Sequence, residues 1–383
     1  MLLKDIEIHV YKLDNDTFDA LGQINQFTSL IWPDKFNGYT TFELNAPLTD
    51  ENKTLIKKGN VIWCGGDNAA IIEIIESNTN EDGQKTYKVK GRTLEMILTT
   101  RIIWGTYVCQ GKHSSTAMYE IVDSQCVNPA QTNRKIPFLE CAEDEQLGNL
   151  ISFQKTGGEV YDSLITLATE AELGFSVLFR PRQKKLIFKV NQGVDRTIML
   201  QSDQGSPLVV FSTDLDDILS SSYYTNDQDK KTTAYVAGEG EGEDRKYIVS
   251  GDNASPGFLR RELYVDARDL QSEVFNPEDG SSTTINEDDY RDMLNDRGKE
   301  KLAQNTITES FEAKMRVVGD IQYRYGVDYF KGDKVLVQDT ELGIQVVATI
   351  SEVSENYDDE YELMITFGYE YPTLIQKIKK QMS

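Results

Sequence analysis

The chain has 383 residues, long enough for two or three domains that each bury a core. Its hydrophobic content of 39% with 10% aromatics suits a folded, soluble protein, and 63 acidic against 40 basic residues leave a net charge of −23. That excess argues against nucleic acid as an adherent partner; it either holds polyanions off the surface or serves solubility alone.

The N-terminal MLLKDIEIHVYKLD has no basic region followed by a long apolar block, so no signal peptide is expected. No apolar run approaches the roughly 18 residues of a membrane-spanning helix. The first hundred residues are strand-rich. NQFTSLIW (25–32) and YTTFEL (39–44) flank Asn37-Gly38, the dipeptide typical of a two-residue hairpin turn. VIWC (61–64) and AAIIEIIES (69–77) flank GGDN. TYKVKG (86–91) follows Asp82-Gly83, with Tyr87 and Val89 on one face and Lys88 and Lys90 on the other. The pattern predicts an antiparallel, barrel-like meander.

Between about 106 and 200 the period changes. SSTAMYEIVDSQC (114–126) predicts a short helix ended by Asn128-Pro129. In GEVYDSLITLATEAELG (158–174), Val160, Leu164, Leu167, Ala168 and Ala171 make one apolar stripe, and Gly174 fits the C-terminal cap. FSVLF, RPRQK and LIFKV then predict a hairpin against which that helix packs. From about 208 strands return. A helix is predicted over 286–305, with Asn286 as N-cap, acids in its first turn, and Tyr290, Leu294 and Leu302 on one face. The preceding QSEVFNPEDGSST reads as a polar loop, and SENYDDEYE (354–362) as a solvated hairpin tip. KVLVQD, IQVVATISEVS and YELMITFG are the closing strands.

KKGNVIW…AAIIEIIES…KTYKVKG near the start resembles FKGDKVLV…IQVVATISEVS…YELMITFG near the end. Gly59 aligns with Gly332, Ile71 with Ile344, and Gly91 with Gly368. Two readings stay open: one unit carried twice, or convergence of two meanders.

Candidate chemistry is sparse. Residues 238–244 read GEGEGED after a strand pattern, but a dinucleotide loop needs glycine at the sixth position, where Glu243 stands, and a following helix. Glu239, Glu241 and Glu243 would repel phosphate, and the spacing of a calcium loop is absent. The stretch is expected to turn a corner, with a weak cation site as the lesser reading. Cys64, Cys109, Cys126 and Cys141 contain no CxxC, and neither His9 nor His113 has zinc-like spacing from them. They are expected to be reduced, mostly buried thiols of an intracellular folding environment. A catalytic triad could use only His9 or His113, and no GxSxG or HExxH occurs. Both histidines are expected to be structural or on the surface. No catalytic, cofactor or metal residue is assigned. A glycosidase would need only two carboxylates and stays open. Trp32, Trp63 and Trp104 occupy strand-like apolar positions, which disfavours a glycan-binding groove.

An ordered series of landmarks extends along the chain. It runs from Trp32…Asn37-Gly38…Phe42-Glu43-Leu44…Pro47 through Lys58-Gly59 and Gly91-Arg92 with Leu98…Arg101-Ile102. It continues with Gly193-Val194-Asp195-Arg196-Thr197 and Val236-Ala237-Gly238-Glu239-Gly240-Glu241-Gly242 with Arg245. It closes with Gly257…Arg260-Arg261-Glu262, Gly332-Asp333-Lys334-Val335 and Thr366-Phe367-Gly368, so it covers roughly 5–370. In order and spacing this series resembles the baseplate hub proteins of tailed phages, the hub part of tail-associated lysins in siphophages.

The resemblance implies a β-rich α+β fold with two tube-like antiparallel β-barrel domains and an α/β accessory module. The expected division is a first barrel over 1–105, an accessory domain over 106–205, and a second barrel over 206–370 with an inserted loop and helix at about 268–310. A short helix or tail follows over 371–383, where Leu374, Ile375 and Ile378 lie among lysines. The resemblance further implies a non-enzymatic homotrimer at the virion tail tip, assembled in the host cytoplasm. Its implied partners are the distal tail protein, tail tube, tape-measure protein and receptor-binding or tip proteins; no cofactor, stable nucleic-acid binding or membrane span is implied. Relatives often continue into a lysin, and the ending YEYPTLIQKIKKQMS leads to the expectation of none here. The hub of a phage-derived contractile injection particle is the sibling reading.

Overall fold

A computed structural model describes residues 6–67, 69–79, 83–197, 208–212, 218–275, 282–317, 321–341 and 343–368. In the first part, alternating side chains make β1 (Ile8–Leu13), β2 (Phe18–Ile24), β3 (Ser29–Lys35), β4 (Thr41–Pro47), β5 (Asn60–Trp63), β6 (Ala69–Thr79) and β7 (Lys85–Thr93). They pair in the order β3-β4-β7-β6-β5-β1-β2, every pair antiparallel. One face of the sheet buries Ile8, Val10, Leu30, Trp32, Phe42 and Leu44. On the other, Lys88 and Lys90 reach Glu43 on the neighbouring strand at 2.9 and 3.2 Å. The short helix α1 (Asp50–Leu55) is capped by Thr49, whose side chain accepts from the Asn52 N–H at 3.1 Å.

The middle part contains β8 (Thr106–His113), α2 (Ser114–Val122), β9 (Leu139–Cys141), β10 (Leu150–Thr156), α3 (Val160–Glu170), β11 (Gly174–Arg180) and β12 (Lys185–Asn191). Val160, Leu164, Leu167 and Ala168 of α3 are buried together with Phe175, Val177 and Phe188 of the β11–β12 hairpin. β9 joins that hairpin in parallel, and β8 pairs with β10. The predicted Gly174 cap is corrected. Glu172 takes the left-handed conformation (φ 53°) that reverses the chain after α3. Gly174 opens β11, where a Cβ would lie 2.3 Å from the Phe36 carbonyl oxygen.

The last part contains β13 (Val210–Ser212), β14 (Ile218–Asn226), β15 (Thr233–Ala237), β16 (Tyr247–Gly251), β17 (Glu262–Asp266), β18 (Glu273–Phe275), β19 (Ser282–Thr284) and α4 (Glu287–Ala303). It closes with β20 (Thr308–Met315), β21 (Lys334–Asp339), β22 (Ile344–Tyr357) and β23 (Tyr361–Gly368). β15–β17 form a small sheet with its own core against Tyr290, Met293 and Leu294 of α4. Asn286 caps α4 as expected, accepting from the Asp289 N–H at 2.9 Å. The predicted polar loop before α4 contains the hairpin β18–β19, a correction: Val274 and Thr283 pair across it. The predicted helix around Leu374, Ile375 and Ile378 lies outside the described residues.

The remaining strands repeat the first unit. The order β14-β20-β23-β22-β21-β13 matches β3-β4-β7-β6-β5-β1 strand for strand, although β13 runs parallel to β21. Both copies carry a bulge at the same place: Ile72 and Ile74 pair with Gly91 and Lys90, and Ile350 and Glu352 pair with Phe367 and Thr366. Both use a left-handed glycine before the bulged strand's neighbour. The Gly59 N–H donates to the Ile72 carbonyl at 2.8 Å, and the Gly332 N–H to the Ile350 carbonyl at 2.7 Å. The match of Gly59 with Gly332 therefore holds, but those of Ile71 with Ile344 and Gly91 with Gly368 are corrected: Ile72 corresponds to Ile350 and Gly91 to Phe367. The longer β21–β22 hairpin displaces the match made from sequence.

The two units do not stand apart. The C-terminal half of β22 pairs antiparallel with β3, from Glu352↔Lys35 to Tyr357↔Leu30, so one 13-stranded sheet runs through both. The fold is β-rich α+β with a large antiparallel sheet. Among the described residues neither unit closes on itself by hydrogen bonds, because the strand path ends at β14 and β2.

Candidate functional site

Close contacts between distant segments gather at two joints, and aromatic side chains are exposed on two faces. The joint between the units centres on residues 32–38. Trp32 is 2% exposed and its ring stacks on Phe42 with centroids 5.6 Å apart. The Phe36 N–H donates to the Ser351 carbonyl at 2.9 Å, and its own carbonyl accepts from the Phe175 N–H at 3.2 Å. Its ring covers Gly332, where a Cβ would lie 2.2 Å away. Three parts of the chain thus meet at one residue. The expected two-residue turn at Asn37-Gly38 is corrected. β3 and β4 are linked by residues 36–40, only Gly38 has positive φ, and Asn37 bridges to Phe175. Docking, not turn chemistry, fixes this loop.

Two landmarks distant in sequence form a second joint. The Asp333 carboxylate, 2% exposed, accepts from the Val194 N–H at 2.9 Å and the Phe330 N–H at 3.0 Å, and pairs with the buried Arg196 guanidinium. Backbone bonds flank the pair, Lys334 N–H to the Val194 carbonyl and Arg196 N–H to the Lys334 carbonyl. Gly193 has no room for a side chain, since a Cβ would lie 1.7 Å from the Gly332 carbonyl oxygen. The segment that follows β12 is therefore stitched to β21.

The glycine run connects β15 to β16, with Ala237 opposite Tyr247. It turns a corner, as expected. Gly240 and Gly242 have positive φ, and a Cβ at Gly238 would lie 2.6 Å from the Tyr290 hydroxyl. Arg245 holds the turn through the carbonyls of Gly238 and Ala237, at 2.9 and 2.8 Å, and the Asp266 carboxylate. Glu239 is part of the structure: its carboxylate accepts from the Ser272 N–H at 2.9 Å and faces Lys246 at 3.3 Å. Burial opposes its ionisation, but those partners outweigh it and hold its pKa below the ordinary value. Converting Glu239, Glu241 and Glu243 together to glutamine is expected to leave the fold intact and to cost about 1 kcal/mol through the Glu239 bonds alone. A thermal melt of the triple variant checks this, and a turnover activity abolished by the change would overturn the reading of the loop.

The other candidates are dispersed. His9 lies on β1 beside Glu7 at 3.1 Å, and the His113 Nδ1 lies 2.8 Å from the Gly148 carbonyl at the start of α2. Among the described residues neither histidine hydrogen-bonds both an acid and a nucleophile, and no group of three metal-ligating side chains occurs. All four cysteines are free, and burial pushes Cys126 and Cys141 up to about 12, so these thiols are poor nucleophiles. The acid-rich tip is corrected in part: Asp358, Asp359 and Glu360 are exposed, but Glu355 is buried and accepts from Tyr357 and Tyr361 at 3.1 and 2.7 Å. Of the acids near 214–229, Asp214, Asp216 and Asp217 lie outside the described residues, and Asp227 pairs with Arg261 at 2.9 Å.

Two exposed features went unseen in the sequence. Trp104 is 58% exposed under the Arg134 guanidinium, so its strand-like setting did not mean burial. Tyr235, Tyr247 and Tyr264 share the outer face of the β15–β17 sheet, the first two stacked at 5.0 Å. Alternation within one strand could not tell which strands pair or which side of their sheet α4 covers.

Between α3 and α4, burial and then the charges of Asp296 and Glu300 push the Glu170 carboxyl up to about 7. The folded state thus holds this proton more tightly than the unfolded chain does. Stability falls as pH rises from the ordinary value of 4.5 towards 7, and the loss is complete above that. Glu170→Gln is expected to abolish this contribution. Melting temperatures across that interval should fall for the parent relative to the variant, and parallel curves would contradict the assignment.

No curated protein matches. Solved structures with the same fold include the tail protein from Neisseria meningitidis MC58, at 13% identity and a TM-score of 0.52, covering 95% of this chain and 97% of that one. The 43 kDa tail protein of prophage MuSo2 from Shewanella oneidensis matches at 12% identity and 0.52, covering 95% and 98%. The prophage tail protein gp18 from Listeria monocytogenes EGD-e matches at 12% and 0.54, covering 98% of each chain. The Siphovirus ReqiPepy6 Gp37-like protein family matches residues 7–369. The chain therefore belongs to the Siphovirus ReqiPepy6 Gp37-like family and has the fold of phage tail proteins.

Proposed function

We propose that this chain is the structural hub of a phage tail tip: three copies form a ring that joins the sixfold tail tube and distal tail protein to the tip and lets DNA pass. The observation that carries this reading is the pair of equivalent sheet units joined edge to edge through β3 and β22. Three such chains present six equivalent units, which match a sixfold partner. Each unit serves as one wall of a tube-like barrel completed in the ring, the first over 1–105 and the second over 206–370. The accessory domain spans 106–205, and β15–β17 with α4 are inserted between β14 and β20.

The hub turns over no substrate and holds no cofactor. Its bore carries net negative charge, which keeps the DNA duplex from adhering within a Debye length of about 8 Å. The distal tail protein, tube and tape-measure protein are its neighbours, and the hub of a contractile injection particle is the same reading in another particle. Gold-labelled antibodies against the chain should bind the capsid-distal end of intact tails. Label confined to the capsid or tail shaft would overturn the proposal.

A glycan-binding role is the second reading, favoured by the tyrosine face of β15–β17. Retention on a glycan array that Tyr247→Ala abolishes would support it.

A further inference from the structure

The sheet has two long edges that the duplication makes complementary. Within one chain, the C-terminal half of β22 pairs with β3. The counterpart of β22 is β6, and the counterpart of β3 is β14, by strand order and by the shared bulge. Among the described strands, β5 covers β6 only from Ala69 to Ile71, while β14 pairs with β20 alone. The chain therefore contains one completed junction of this kind and the two separate halves of another.

We infer that β6 of one copy pairs antiparallel with β14 of the next copy and repeats the β22·β3 junction between chains. The inference rests on the trimeric hub reading and names the surfaces that close its ring.

Register follows from the repeat. Leu44 pairs with Leu30 and Val89 in the first unit, and its counterpart Ala313 pairs with Ser221 and Ile365 in the second. Ser221 thus stands for Leu30 and Ser222 for Ile31. On the other side, Asn78 stands for Asn356 and Thr79 for Tyr357, counted from the bulge. Asn356↔Ile31 in the chain therefore predicts Asn78 opposite Ser222 of the next copy, with Thr79 opposite Ser221.

Burial and edge chemistry agree with this assignment. Val353 and Tyr357 are buried at the junction inside the chain, whereas Ile75 is half-buried and Thr79 exposed at the equivalent places. Ile74 on β6 and Leu219 on β14 are 49% and 51% exposed. Exposed edges in stable monomers are usually blunted by lysine, proline or a bulge. The edge strand β2 has such a bulge, where the register with β1 shifts between Val10 and Tyr11. Those of β14 and β6, at Ile218–Ser220 and Ile72–Ile74, instead lie ahead of Ser221, Ser222, Asn78 and Thr79 in the inferred pairing. Residues 218–226 read ILSSSYYTN and residues 74–79 read IIESNT, with no lysine or proline in either. Both edges remain suited to pairing.

The contact is head-to-tail, so it closes a ring only if the rotation between units permits. The test is a disulfide between chains. Asn78→Cys and Ser222→Cys replace exposed residues opposite each other in the inferred register, at a separation a disulfide spans. Under mild oxidation, the full chain carrying both should give a covalent three-chain species and nothing larger on a non-reducing gel. Ser77→Cys with Ser222→Cys places the thiols on opposite faces and should not cross-link. Each single variant alone should also stay uncoupled, whereas a mixture of the two singles should yield only a covalent pair.

A trimer in native mass spectrometry that does not cross-link at 78 and 222 would overturn this pairing and leave the hub reading standing. Persistent monomer at every concentration, coupling by either single variant, or a ladder running past three chains would overturn it as well. Failure of the hub reading itself has a separate sign, the absence of gold label from the tail tip.

Discussion

Asp333→Ala is expected to destabilise the second unit by about 3–5 kcal/mol, because it removes one partner of a buried ion pair. The Arg196 guanidinium would be left buried without its counter-charge, and the N–H groups of Val194 and Phe330 would lose their acceptor. The effect should be read locally, since the protein has several cores. Hydrogen exchange of peptides covering 193–197 and 330–337 should accelerate by about two to three orders of magnitude or more. Asp333→Ala combined with Arg196→Met should recover much of the loss, because the buried charge is then gone. Exchange rates within a factor of about five of the parent would show that the pair does not hold this joint.

Trp32→Ala is expected to cost a similar amount, about 3–5 kcal/mol, through lost burial and the cavity it leaves. Trp32 faces Phe42 in its own unit and lies opposite Glu355 on β22, so the damage should appear on both sides. Protection should fall together in peptides spanning 29–35 and 350–357. Trp104→Ala, at an exposed position, should change stability by no more than about 0.5 kcal/mol. If Trp32→Ala disturbed only the first unit, the two halves would not share one cooperative joint.

The sequence was legible where local pattern decides structure. The α3 stripe from Val160 to Ala168, the β11–β12 hairpin and the cap at Asn286 follow from spacing and side-chain chemistry within a few residues. The glycine run is legible as a bend because its glutamates and the strand after it fit no phosphate loop. What escaped was contact across long separations. The Gly193–Thr197 and Gly332–Val335 landmarks are both visible in the sequence, but nothing local says that Arg196 and Asp333 meet. Asn37-Gly38 looked like a tight turn because the dipeptide favours one, yet Phe36 and Asn37 are held by Ser351 and Phe175. Glu355 looked like part of a solvated tip because its neighbours are acidic; burial depended on β3 covering β22. The repeat was visible as a weak likeness, and its register became clear only through the shared bulge.

Native mass spectrometry of the concentrated full chain is the most direct test of the hub assignment. Two equivalent units per chain against a sixfold partner require three chains, so the dominant assembled species should contain three copies. A stable dimer as the dominant assembly would contradict the hub.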